Sequence, residues 1–157
     1  MNTFKRISFA TVVLGLVLTM TAFSDTRVIA ELVKEDITFL LGSNNNIKAQ
    51  FRTTENRTNL VIVNSETKRV GDYEYREVWS SAYRGIPIDA KKLEQLLLDN
   101  GQQKVGGWRV LQGEKWIVIY SVRVSANADG STLRAAMQLC ATKADALEKE
   151  WGENDEF

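Results

Sequence analysis

Apolar residues recur along this chain in two periods, and the switches between those periods mark its elements. From Asp25 to Leu41, the residues Val28, Ile29, Leu32, Val33, Ile37, Leu40 and Leu41 fall at spacings of three and four. That spacing predicts an amphipathic helix, capped by Asp25 or Thr26 and stopped at Gly42. Ser43 to Asn46 reads as a turn, and the period then changes to two. Ile47 to Thr53 alternates Ile47, Ala49 and Phe51 with Lys48, Gln50 and Arg52. After a polar loop at 55–59, Leu60 to Asn64 is a short apolar run, the pattern of a strand buried on both sides. Asp72 to Tyr83 alternates again, with Tyr73, Tyr75, Trp79 and Tyr83 on one face and Asp72, Glu74 and Arg76 on the other. The connections are too short for helical crossovers, so the three strands are expected to be consecutive and antiparallel.

Pro87 is the single proline and stops the third strand. Asp89 is a strong N-cap candidate for a helix whose stripe is Leu93, Leu96 and Leu97 and whose end is Asn100-Gly101. Gly107 to Leu111 and Trp116 to Ala126 then read as two strands joined by a tight turn at 112–115. In the second of these, Trp116, Val118, Tyr120, Val122 and Val124 alternate with Ile117, Ile119, Ser121, Arg123 and Ser125. A last helix follows, with Ser131 as its expected cap and one face made of Leu133, Ala136, Met137, Cys140, Ala144, Leu147 and Trp151. The order α-βββ-α-ββ-α, with strands in runs, predicts an α+β domain with helices packed on an antiparallel sheet.

The first 24 residues follow a different rule. Lys5 and Arg6 precede an apolar run from Ile7 to Phe23, and Ala22-Phe23-Ser24 supplies a small-x-small exit. Basic start, apolar centre and small-residue exit are the parts of a secretory signal, with the cut expected between Ser24 and Asp25. The rival reading is an uncleaved inner-membrane anchor, since about 18 apolar residues is the short limit for a spanning helix. Thr11, Thr19 and Thr21 dilute the run, and no Cys lies near the exit, as a lipoprotein would require. The organisation is therefore a signal at 1–24, one domain at 25–152 and an acidic tail at 153–157. The expected location is periplasmic or secreted.

Composition narrows the chemistry. The leader holds two of the 20 basic residues and none of the 20 acidic ones, so the remaining 133 residues carry a net charge of −2. No bulk basic excess points to nucleic acid, and none is expected as a partner. There is no histidine, which rules out a Ser-His-Asp triad, a Cys-His pair and histidine-ligated zinc within the chain. Cys140 is the single cysteine, so no internal disulfide can form; its place in the apolar stripe favours a buried thiol over an intermolecular bridge. The three glycines of 101–107 lack the Lys-Ser/Thr of a phosphate loop. Glu148, Glu150, Glu153, Asp155 and Glu156 fit no calcium loop and read as a solvated helix end. Asn56-Arg57-Thr58 matches a glycosylation pattern and is treated as incidental. Trp108 and Trp116 flank the second hairpin turn and read as packed rings. Catalytic, cofactor and metal residues are expected to be none. The sharpest surface candidate is the aromatic face Tyr73, Tyr75, Trp79 and Tyr83, with Glu77 among the rings. It reads either as ordinary cover for the sheet or as a protein-binding groove.

At residue level the second half carries a resemblance. Leu96-Leu97-Leu98-Asp99-Asn100-Gly101 looks like a leucine-rich helix ending in Asn. Gly106-Gly107-Trp108 follows it, then the long strand, Leu133 and Ala144-Asp145-Ala146-Leu147-Glu148. Over residues 88–151 this is similar to the YbjN-like family and to the class I type III secretion chaperones whose fold that family shares; the first half matches in element order alone. The resemblance implies a homodimer that binds other polypeptides, with regulatory or stress-related roles and no catalytic residues. The chaperones themselves act in the cytosol, and the leader argues against carrying that role over. The expected function is thus an exported, non-catalytic binding or regulatory module. Its alternatives are an envelope structural protein held by an uncleaved N-terminal helix, and a histidine-independent enzyme using Glu77 with Asp72 or Glu74.

Overall fold

The computed structural model describes residues 25–152; the expected leader, its expected cut after Ser24 and the acidic tail lie outside that range. The order is α1 (Thr26–Lys34), β1 (Leu40–Leu41), β2 (Ile47–Arg52), β3 (Thr58–Val63), β4 (Lys68–Val70), β5 (Tyr73–Gly85), α2 (Ala90–Gln102), β6 (Gly107–Leu111), β7 (Trp116–Ser125) and α3 (Gly130–Glu150). A short 3₁₀ turn at Thr54–Asn56 joins β2 to β3. The strands form one antiparallel sheet in the order β1-β2-β3-β5-β7-β6, with β4 paired to β5 beside it. This is the α+β class expected, with two small extra strands, β1 and β4.

The helices pack on one face of the sheet. α3 crosses β2, β3, β5 and β7, and α1 lies beside it. The inward positions of the strands meet Leu133, Met137, Cys140, Ala141 and Ala144 of α3 and Val28 and Leu32 of α1 in one core. Asp25, Asp89 and Asp129 cap α1, α2 and α3, accepting from the amides of Arg27, Lys92 and Thr132. Each carboxylate satisfies an orphan amide at the positive end of the helix dipole. Asp129, not Ser131, caps the last helix, because the helix begins at Gly130 and Ser131 is already inside its first turn.

Two helical expectations change. α1 ends at Lys34, and Asp36 takes φ +53, so the chain reverses there. Leu40 and Leu41 continue the period by coincidence and lie exposed in β1. In α2, Leu96 alone is buried, while Leu97 and Leu98 are 71% and 66% exposed.

The end of α2 is clasped to the edge strand β6. Asn100 donates from Nδ2 to the Trp108 carbonyl at 3.1 Å and accepts the Trp108 amide on Oδ1 at 2.6 Å. Asp99 accepts Trp108 Nε1 at 2.5 Å. The clasp needs the glycine pair before it. A Cβ on Gly107 would lie 3.0 Å from Asn100 Oδ1, and Gly106 takes φ +77 with its missing Cβ 2.5 Å from the Ser121 carbonyl oxygen.

Candidate functional site

Strand alternation assigns every outward side chain to a second face of the sheet, over which no described helix packs. Pairing registers place Lys48, Gln50 and Arg52 of β2 beside Ile62, Leu60 and Thr58 of β3. Ile62 faces Trp79 of β5, and Glu77, Trp79 and Ser81 face Arg123, Ser121 and Ile119 of β7. Arg109 and Leu111 of β6 complete the surface. An antiparallel sheet tolerates one solvated face. This one is not simply polar: Ile62 and Ile119 are only 6% and 2% exposed, shielded by their neighbours.

Three of the four predicted aromatic residues stand on this face. Tyr73 and Tyr75 stack at 5.9 Å with 17° between their rings. Arg123 lies over the Tyr75 ring at 5.4 Å. Trp79 is half-buried and donates from Nε1 to Asn64 Oδ1 at 3.0 Å. Tyr83 is the exception. A β-bulge between Ser81 and Tyr83 inserts one residue and reverses the alternation, so Tyr83 pairs with Val118 on the helix side. There it is buried against Trp151, with ring centroids 5.6 Å apart at 70°, and donates its hydroxyl to the Ile86 carbonyl at 2.9 Å. It belongs to the core, not to the aromatic surface.

Depressions indent the open face, and two of them lie beside the aromatic residues of β5. One, of about 170 Å³, is lined by Lys68, Tyr75, Glu77, Arg109 and Arg123, with Asn64, Arg76 and Glu66. Glu77 is ion-paired to Arg109 within it. The other, of about 480 Å³, has Leu60, Ile62, Trp79 and Ile117 as its floor and Lys48 and Arg84 at its flanks, closed by Ser43, Asn44, Asn46 and Ser81.

The opposite side of the sheet holds paired charges. Arg76 is 1% exposed; its Nη2 meets Asp25 Oδ2 at 2.6 Å and its Nη1 donates to the Asn64 carbonyl at 3.1 Å. Arg27 bridges Asp25 and Glu74. Hydrogen bonds from Arg27, with Arg76 adding to them, hold the Asp25 carboxyl well below the usual carboxylate range. Arg27 likewise brings Glu74 down to about 2. Arg57 reaches Asp145 at 2.5 Å and Glu148 at 2.6 Å, and both carboxylates are buried. Glu148 is thus no part of a solvated helix end. Cys140 is buried, donates to the Val78 carbonyl, and is pushed up to about 12 by burial, which leaves it an inert thiol at neutral pH. Glu74 and Glu77 fall on opposite faces, so they do not form a carboxylate pair. Among the described residues no group of His, Cys, Asp and Glu gathers as a metal site, and no helix is long and apolar enough to cross a membrane.

The fold and this surface define an α+β domain with one sheet face covered by helices and one over which, among the described residues, no helix packs. No family model, curated protein or solved structure matches the chain.

Proposed function

We propose that the protein is an exported, non-catalytic binding module that holds another polypeptide on the open face of its sheet. The observation that carries this reading is the bare face itself. Leu60, Ile62, Trp79 and Ile117 form a contiguous apolar floor with no described element over it. Leu60, Trp79 and Ile117 are half-buried around the buried Ile62, and a partly open apolar depression with Tyr and Trp beside it is a surface that partner sites use. Export rests on the leader alone, and a YbjN-like assignment rests on the motifs of residues 88–151. Pairing of two copies follows from the same resemblance. Leu97 and Leu98, with Ile86 and Val105, are the exposed apolar residues that a second copy would bury.

Site-specific photo-crosslinking in cells tests the reading. A crosslinker at Trp79 is expected to trap a polypeptide partner, and one at Thr142, exposed on α3, is not. Equal yields from both positions, or none from Trp79, would reject it. The intact mass of the exported protein separates a cleaved module from an anchored one.

A further inference from the structure

The chain has 20 basic and 20 acidic residues, yet the sheet sorts them. Outward strand positions carry Lys48, Arg52, Lys68, Arg84, Arg109 and Arg123 against the carboxylate Glu77, and the loop residue Glu66 adds a second carboxylate at the depression beside Tyr75. Arg109 is neutralised by Glu77. Among the described residues the other five make no ion pair, and all five are exposed. Charges of both signs would keep a bare face solvated equally well. One sign, repeated over four strands, adds self-repulsion, offset at Arg123 by its place over the Tyr75 ring, but it raises the local potential toward an anion.

The cations flank the depressions. Arg123 and Lys68 border the one at Tyr75, and Arg84 and Lys48 border the one at Trp79. Tyr75 and Trp79 are four residues apart on β5, roughly 13 Å along a strand. An extended polypeptide covers that distance in about four residues. The rings are poorly placed for nucleobases. Tyr75 is already flanked by Arg123 and Tyr73, and the larger depression has a mainly aliphatic floor. Single-stranded nucleic acid needs free ring faces in series.

We propose that the open face selects an acidic amphipathic polypeptide segment. Its carboxylates lie against Arg84 and Lys48 at one end and Arg123 and Lys68 at the other, and its apolar side chains enter the floor formed by Leu60, Ile62, Trp79 and Ile117. This rests on the polypeptide-binding reading above and adds the chemistry of the partner.

The test is selection of a displayed random dodecapeptide library on the purified protein, with counter-selection on the Arg84→Glu/Arg123→Glu variant. The milder Arg84→Gln/Arg123→Gln variant and thermal melts control for folding. Enrichment of Asp and Glu interspersed with aliphatic residues is expected. The enriched peptides should bind at least tenfold more weakly to the Gln variant, and more weakly as NaCl rises from 50 to 300 mM. Enrichment of neutral or basic apolar peptides would overturn the charge selectivity and leave polypeptide binding standing. No enrichment over the Glu variant would overturn both. A dT20 oligonucleotide that bound tightly and was lost in both variants would replace the acidic segment with nucleic acid.

Discussion

On the helix side of the sheet, the buried Arg76 and the half-buried Arg57 each have a carboxylate within hydrogen-bond reach; on the open side, among the described residues, the exposed Lys48, Arg52, Lys68, Arg84 and Arg123 have none. The difference follows from solvent. A cation packed under helices loses its hydration, so the fold must supply a partner or pay for an unpaired charge. A cation on a bare face keeps its water and imposes no such demand. Charge on the covered face therefore reports on stability, and charge on the open face is free to serve a partner.

The largest break in this comparison is expected at Arg57. Arg57→Ala leaves Asp145 and Glu148 buried beside one another, and the loss should be about 3–5 kcal/mol in urea unfolding. Asp25→Asn comes next, at about 3 kcal/mol at pH 7, because Arg76 then lies buried without its counter-charge. This position also carries a pH signature. The Asp25 and Glu74 carboxyls are lowered in the folded state, so their contribution is complete above about pH 4.5 and is lost as pH falls toward 2. The melting temperature of the wild type should drop across that window, and Asp25→Asn should flatten the drop. Asn100→Ala removes the clasp and leaves the backbone groups of Trp108 without it, at about 1–3 kcal/mol. The smallest effect is expected from Arg84→Gln on the open face, within about 0.5 kcal/mol of wild type. An open-face substitution that destabilised as much as Arg57→Ala would erase the distinction.

Much of the covered face was legible in the chain. The stripe from Leu133 to Leu147, the buried Cys140, the cap at Asp89 and the alternation of β7 are local patterns, and local patterns survive folding. What failed depended on partners distant in sequence. Tyr83 changes face because of a bulge, and a bulge exists only relative to the strand it pairs with. Glu148 read as solvated because its partner, Arg57, lies 91 residues away. Leu97 fits a helical stripe whichever way the helix is turned. The open face takes the polar side of β2 but the aromatic side of β5, so the gathering of cations on it emerged only once the register was known.

The clasp of Asn100 on Trp108 bears on how this molecule meets others. A sheet grows by lending the free backbone of its last strand to a newcomer. Here β1, at one border, is two residues long, β4 beside β5 is three, and β6, at the other border, already has the amide and carbonyl of Trp108 occupied by a side chain of its own chain. At those positions the rim has fewer backbone groups to lend to another strand. A polypeptide bound as proposed would lie across the sheet, side chain against side chain, where its identity can be read, rather than along the clasped rim of β6, where any backbone would do.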